Sequence, residues 1–407
     1  MHILLIHQAF AALDEAGGTR HIELARSLAH KGHQVTIISS PVSYLSGKSR
    51  SAKNRWVEKE QSEAGITILR TYTYPALHRS FFHRVISFLS FMLSSFFVGL
   101  GVRNVTLVWG TSPPIFQGIT AWLLARLKGV PFLFEVRDLW PAFAIAVGVL
   151  RNPLLIRLSL GLERFLYRRA DLVMVNSPGF IDHVTQRGAR WVELVPNGAD
   201  PAMFDPDCHG EHFREQYGLN NHFVALYAGA HGLSNDLGVV LDAAGHLLDQ
   251  PQISLVLVGD GKEKARLQEQ AAAKKLTNLF FTPAVTKNDM PEVLAAADAC
   301  IAILKPLELY KTTYPNKVFD YMAAGRPVVL AVDGVIREVV EGAQAGIAVP
   351  PGDSQAMAQA IRALAADRPR CLEMGRAGRR CVEEEFNRAA VAEKLLLLLE
   401  EMERMHA

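Results

Sequence analysis

The sequence predicts an α/β protein of two doubly wound domains facing one cleft, on three observations. Short apolar runs rich in β-branched or aromatic residues alternate with helical stretches, as strands buried on both faces of a parallel sheet should. The alternation breaks at a turn-rich joint, Val195-Pro196-Asn197-Gly198-Ala199-Asp200-Pro201, and then restarts. At 407 residues, 49% of them hydrophobic and 21% charged, the chain can build more than one core, given a prior of roughly 150 residues per domain.

Ile3–Ile6 opens the chain as a core strand. No basic stretch precedes it and the apolar run is short, so it does not read as a signal peptide. A helix follows from Thr19 to Lys31, with Gly32 where a helix C-terminal glycine belongs. Strands are expected at Val35–Ile38, Thr106–Trp109, Phe132–Val136 and Leu172–Val175. The second set is Phe223–Tyr227, Leu255–Val258, Ala299–Ile303 and Val328–Leu330. From Ala389 to Met405 runs a helix whose Leu395–Leu399 stretch is too apolar to lie free in water. The expected division is 1–197 for the first domain, 198–385 for the second, and 386–407 for a final helix that packs on the body.

The formal charge of +2 excludes a polybasic nucleic-acid binder, and the composition excludes a disordered chain. Charge is nevertheless uneven. Residues 41–104 carry nine Lys/Arg against three Glu, so this stretch is +6 and the remainder −4. Within it, Val85–Val102 is an uncharged run of 18 residues, about 27 Å as a helix, just short of a ~30 Å hydrocarbon core. Ser87, Ser90 and Ser94 fall on one face, which argues against a lipid-spanning helix. Three readings stand open. One is a mostly buried helix; another is an interfacial helix that dips Phe88, Phe91, Phe96 and Phe97 into an anionic membrane through 76–103; the third is a true span. Cys208, Cys300, Cys371 and Cys381 form no CxxC and no zinc spacing, which fits a reducing, cytoplasmic setting, peripheral on the membrane if 76–103 touches it.

Several strand-to-helix junctions carry chemistry. Gly17-Gly18-Thr19-Arg20 opens the first helix, where paired glycines and free N–H groups suit a phosphate, although the spacing is not a dinucleotide fingerprint. Glu135-Val136-Arg137-Asp138 ends a buried strand, the place where an open α/β sheet binds ligands. There Asp138 is a candidate to orient an acceptor hydroxyl and Arg137 to meet an anion, unless Arg137 merely pairs with Glu135 or Asp138. Gly229, His231 and Gly232 follow the first strand of the second half, and Lys262 follows the turn Gly259-Asp260-Gly261. Most informative is Lys311 to Pro327, in which Pro315 starts a helix. The N–H groups of Asn316, Lys317 and Val318 would face an anion, and Asp320 one turn on would face a diol, together a reader of a nucleoside diphosphate. Asp205-Pro206-Asp207 spells a DxD but lies in the joint, so no metal and no other cofactor is expected.

In order and spacing, Gly17–Arg20, Glu135–Pro141, Pro196–Asp200, Tyr227–Gly232, Val258–Gly261 and Pro315–Pro327 resemble the bacterial family-4 retaining glycosyltransferases of GT-B fold. The resemblance is strongest to the N-acetylfucosamine transferase-like subgroup of O-antigen and capsule biosynthesis. It implies two Rossmann-like domains facing an interdomain cleft, with 1–197 on the acceptor side, a nucleotide sugar held mainly by 198–385, and the helix in 386–407 crossing back onto the first domain. Carried over, Gly17 and Gly18 would approach the diphosphate or sugar, Asn316–Val318 would hold the α-phosphate, and Asp320 would accept from the ribose. Arg137 and Asp138 would lie by the sugar and the acceptor. Two departures are visible. The family's Glu-x7-Glu reads Thr312 and Asp320 here, and its Arg/Lys pair after the first strand of the second domain is replaced by His231, Asn235 and Asp236. Positive charge must then come from Lys262, Lys311 or Lys317.

The resulting expectation is metal-independent, retaining transfer of a sugar, N-acetylated and UDP-linked, to a lipid-linked or polysaccharide acceptor. The rivals are a nucleotide-sugar epimerase on the same fold and a non-catalytic nucleotide-sugar binder.

Overall fold

Alternation of buried strands with amphipathic helices builds two parallel sheets, each inside its own unit. The computed structural model describes all residues except 44–46, 51–54, 76–78, 206 and 407. One unit comprises 1–12, 17–196 and 389–407, the other 13–16 and 197–388.

The first unit runs β1 (His2–Ile6), α1 (Arg20–His30), β2 (Gln34–Ser39), β3 (Val57–Glu63), β4 (Ile66–Thr71), α2 (Phe81–Gly101), β5 (Leu107–Ser112), α3 (Phe116–Lys128) and β6 (Phe132–Val136). It continues through α4 (Ala142–Ala146), α5 (Pro153–Arg169), β7 (Leu172–Val175), α6 (Ile181–Gln186) and β8 (Val192–Leu194). Its strand order is β3-β4-β2-β1-β5-β6-β7-β8, parallel except for the edge strand β3. β3 and β4 form a hairpin that the apolar-run reading passed over, because β3 (Val57–Glu63, VEKEQSE) has almost no apolar residue to mark it.

The second unit begins with α7 (Glu211–Gln216) and β9 (Phe223–Ala228), followed by α8 (Leu237–His246), β10 (Ile253–Val258), α9 (Lys264–Ala273), β11 (Leu279–Thr282), α10 (Met290–Ala295) and β12 (Ala299–Ile303). Then come α11 (Asn316–Ala323), β13 (Val328–Ala331), α12 (Val335–Gly342), β14 (Gly346–Ala348), α13 (Ser354–Ala366) and α14 (Arg368–Glu385). Its sheet is ordered β11-β10-β9-β12-β13-β14 and is parallel throughout. The last helix, α15 (Arg388–His406), buries Leu395, Leu399 and Met402, and Lys394 reaches Glu193 of the first unit at 3.9 Å.

The apolar helix α2 corrects the expectation in two ways. Its serines turn inward: Ser87, Ser94 and Ser95 are fully buried, the Ser94 hydroxyl donates to the Tyr72 carbonyl at 2.6 Å, and Ser90 Oγ accepts from the Tyr74 N–H at 2.9 Å. These hydroxyls satisfy backbone groups beyond the end of β4 that no strand pairs. The outward stripe is Phe82, Leu89, Leu93, Phe97 and Leu100, whereas Phe91 is buried. Only 28% of the apolar window is buried, so α2 is no core helix, and Phe82–Gly101 is long and apolar enough to cross a membrane by length and composition alone. Lys53 and residues 76–78 of the basic stretch lie outside the described residues.

Position in the second unit is set by close backbone packing. A Cβ on Gly375 of α14 would lie 2.0 Å from the carbonyl oxygen of Gly325, which ends α11 at φ +67°. Gly375→Ala should therefore push α14 off α11 and lower Tm by roughly 3–10 °C. Gly342→Ala, with open space around its Cβ, should leave Tm unchanged or slightly raised in the same thermal melt.

Candidate active site

In the second unit the chemistry gathers where β9 and β10 end and α11 begins. Connections leave β9 toward β10 on one side and return to β12 on the other, the switch point at which open sheets bind ligands. Gly229, Gly259 and Gly261 have φ of +151°, +149° and +154°. A Cβ on Gly259 would meet the Gly229 carbonyl oxygen at 1.9 Å, and one on Gly261 the His231 carbonyl oxygen at 2.5 Å. The two loops thus nest backbone to backbone, which only glycine permits. Lys264 Nζ locks the second loop by donating to the carbonyls of Gly259 (2.7 Å) and Thr282 (2.9 Å). Tyr227 Oη and Asn235 Nδ2 hold the first by donating to the Ala230 carbonyl at 2.8 and 2.9 Å.

Against these loops lies Lys317, in the first turn of α11 and mostly buried. Its Nζ sits 3.8 Å from the centroid of the Tyr227 ring, and a Cβ on Gly229 would approach it to 2.6 Å. No carboxylate pairs with it among the described residues, and burial lowers its pKa to about 7. The backbone N–H groups of Asn316 and Lys317 point out of the start of α11 with no acceptor among the described residues. His231 is completely buried, yet neither ring nitrogen has a partner; burial, reinforced by Lys264, pushes it down to about 4, so the ring is neutral. Thr313 Oγ1 is also buried without a partner. An ammonium, free amides and the unpartnered His231 ring beside glycine loops form a cradle for an anion.

Not every expected contact survives. The Val318 N–H donates to the Pro315 carbonyl at 3.1 Å, so Val318 does not join the free pair. Asp320 also carries an ion pair that sequence did not announce: Lys287 Nζ binds its Oδ1 at 2.7 Å and Asn316 Nδ2 approaches Oδ2 at 3.4 Å. The reason is Lys287, a buried cation over the Phe204 ring that requires a counter-ion. Lys262 is exposed at the tip of its turn, and Lys311 pairs with Glu308 at 2.7 Å. Gly232 is extended at φ −111°, with nothing that excludes a side chain.

In the first unit the switch point lies between β1 and β5. Arg137 and Asp138 follow β6, the strand next to β5, at the carboxyl end of the same sheet. Arg137 is fixed by its N–H to the Ser112 carbonyl (2.9 Å) and by Nη2 to the Pro113 carbonyl (2.8 Å), while its Nε is buried without a partner. The Asp138 carboxylate has no partner among the described residues, and burial raises it to about 6 although Arg137 pulls the other way. Beneath them Glu135 accepts from Arg20 Nε (3.0 Å), Trp109 Nε1 (3.1 Å) and His21 Nε2 (2.6 Å). Burial alone would raise Glu135, but His21 and then Arg20 hold it down to about 2. Glu135 therefore pairs with Arg20, not Arg137. The other nitrogens of Arg20 donate to the carbonyls of Pro196 and Val195, both at 2.6 Å, so it braces the fold.

Gly17 and Gly18 lie exposed before α1; Gly17 has φ +153°, and a Cβ there would meet that of Ala11 at 2.9 Å. Sequence reasoning missed His7, which follows β1 fully buried with its ring 4.2 Å from that of His21 and its Nε2 unpartnered. Its place at the carboxyl end of the first buried strand was the available signal. Among the described residues no three His, Cys, Asp or Glu side chains cluster to hold a metal. Asp205 of the DxD uses its carboxylate on the Asp207 N–H at 3.0 Å, a turn.

Two families match the chain: residues 17–198 match one described as "Glycosyl transferase 4-like domain" and residues 222–367 one described as "Glycosyl transferases group 1". A glycosyl transferase assigned to colanic acid biosynthesis, WcaI of Escherichia coli (strain K12), is 26% identical over 355 residues, covering 84% of this chain and 86% of that protein. Sucrose-phosphate synthase from Thermosynechococcus elongatus superposes with TM-score 0.80 at 20% identity over 98% of both chains. HepE of Anabaena, in complex with UDP and glucose, gives 0.75 at 18% identity, covering 98% of this chain and all of that one (100%).

The raised Asp138 carboxyl has a stability signature. Its native pKa of about 6 exceeds the ordinary 3.8, so the native state holds the proton longer and stability falls as pH rises from about 4 to about 6. Asp138→Asn should remove that loss: its Tm should exceed the parent's at pH 7.5, and the gap should close below about pH 4.

Proposed function

We propose that this chain acts as a family-4 glycosyltransferase of GT-B fold, transferring a sugar from a nucleoside diphosphate donor to a glycan or lipid-linked acceptor. The observation that carries the reading is Lys317: a buried ammonium over an aromatic ring with no counter-ion, beside free α11 amides and glycine loops. Such a cation is stabilised when an anion arrives. UDP is the nucleotide favoured by the HepE likeness, and cell-surface polysaccharide the product class favoured by WcaI. N-acetylation of the donor sugar rests on the subgroup resemblance.

The proposed reaction retains anomeric configuration and needs no metal. The bond from anomeric carbon to diphosphate oxygen breaks, the acceptor oxygen adds on the same face, and its proton passes to the leaving diphosphate. The second unit's amides and Lys317 stabilise the charge that develops on that diphosphate. In the first unit Asp138 orients the acceptor hydroxyl, and Arg137, held rigid by the Pro113 and Ser112 carbonyls, sits beside it. We assign the protein to a reducing, cytoplasmic setting, in keeping with its four unpaired cysteines. The apolar outward stripe of α2 is the surface we assign to membrane contact.

Two measurements test this. At pH 8 Lys317 is mostly neutral, and a bound diphosphate should recharge it. Calorimetry in buffers of different ionisation enthalpy should then show uptake of about one proton on UDP binding, lost in Lys317→Met together with roughly tenfold or more of the affinity. Unchanged affinity in Lys317→Met would remove the phosphate assignment. Separately, kcat should fall as pH drops through about 6, and Asp138→Ala should lower kcat by about 10²–10⁴ while UDP affinity holds. Turnover unaffected by Asp138→Ala would exclude its role with the acceptor.

A further inference from the structure

On the surface of the first unit, between the C-terminal half of α5 and the turn before β8, lies an open cavity of about 500 Å³ lined by Gly161, Arg164, Phe165, Arg168, Arg169 and Arg190. All four arginines are exposed, and none has an acidic partner among the described residues. The nearest carboxylate along α5, Glu163, is buried on its inner side and committed to His183 (2.8 Å) and Arg187 (3.1 Å). Arg164 and Arg168 lie one turn apart, a like-charge pair that disfavours the helix unless something neutralises it. Phe165 forms the floor, its ring edge-on to Trp122 at 4.8 Å and beneath the Arg169 guanidinium at 5.6 Å. Gly161 leaves the wall open, with nothing within 4 Å of where its Cβ would be.

The same face of α5 continues toward its start as Leu154 and Leu158, 63% and 61% exposed. Residues 154, 158, 161, 165 and 168 follow the helical repeat, so an apolar strip runs into the arginine pocket. Further across the surface α3 packs against both α2 and α5 and adds Leu127, also exposed.

We infer that this pocket binds the phosphate head of a membrane amphiphile, a phosphomonoester or diphosphate at the end of an apolar chain. Planar guanidiniums match phosphate oxygens in bidentate fashion. Four of them exceed what the single charge of a phosphodiester neutralises and suit a dianion or more. The leucine strip gives the chain's first carbons an apolar track. The pocket is built from residues of the first unit alone, and its test does not rest on the donor assignment.

The test is sedimentation of the full-length protein with phosphatidylcholine vesicles doped with phosphatidic acid, a phosphomonoester, or with phosphatidylglycerol, a phosphodiester, at matched surface charge. Phosphatidic acid should bind the parent roughly tenfold more tightly, and Arg164→Gln/Arg168→Gln should abolish that preference with UDP affinity unchanged. Leu154→Ser/Leu158→Ser should weaken vesicle binding while leaving affinity for inorganic pyrophosphate intact. Arg190→Gln, outside the helix, is the second variant should the double substitution unfold α5, and it should also reduce the preference. Equal binding of the two lipids, a preference that persists in the arginine variants, or pyrophosphate binding without vesicle binding would each overturn the proposal. Leu93→Ser/Phe97→Ser on α2 reads the other membrane surface: equally weakened binding to both lipids with the tenfold preference kept supports the arginine pocket as the head-group site, and disappearance of the preference in that variant would overturn it.

Discussion

A cation without a counter-ion organises the second unit. Burying an ammonium costs free energy unless a charge or a polar shell repays it. Lys317 has only the face of Tyr227 and the field of its own helix, whose positive end is the wrong sign for it. What surrounds it is constrained accordingly. Gly229 keeps its side chain's place empty next to Nζ, Gly259 and Gly261 let two loops touch backbone to backbone, and Lys264 ties those loops down through carbonyls instead of competing for the anion. The fold holds an unpaired positive charge open to an anion.

The first unit is built the opposite way. Its buried charge is satisfied: Glu135 takes three donors at once and remains ionised inside the core. Arg20 then spends its remaining nitrogens on the carbonyls of Val195 and Pro196, tying the start of α1 to the end of the unit's sheet. That rigid floor carries Arg137 and Asp138 at the mouth of the sheet, where one carboxylate is left unpartnered and raised. A satisfied network below and an unsatisfied acid above is how a scaffold presents a reactive group without yielding around it.

Chemically similar residues divided by environment. Lys317, Lys262, Lys311, Lys264 and Lys287 all lie near the expected donor site in sequence or space. One faces the cradle unpaired, one is exposed at a turn tip, and three are committed to Glu308, to loop carbonyls or to Asp320. Arg137 and Arg20 divided the same way. Sequence spacing placed these residues near junctions; it carried no information about which acid, ring or carbonyl would reach each one. The inward serines of α2 make the point for a helix face, since their partners are backbone groups at residues 72–74, a connection no periodicity reveals.

By itself the sequence determined the two-fold repetition of parallel α/β units, because buried strands must be continuously apolar and their punctuation by glycine, proline and helix caps is local chemistry. It also determined that Asp138 ends a strand and that Lys317 begins a helix, since both follow from position relative to such runs. Tertiary structure alone decided which charges stay unpaired. Pairing depends on distance between residues far apart in the chain, Lys287 with Asp320 and Arg20 with Glu135, and on how completely water is excluded around each. Both are properties of packing, and no single stretch of sequence contains them.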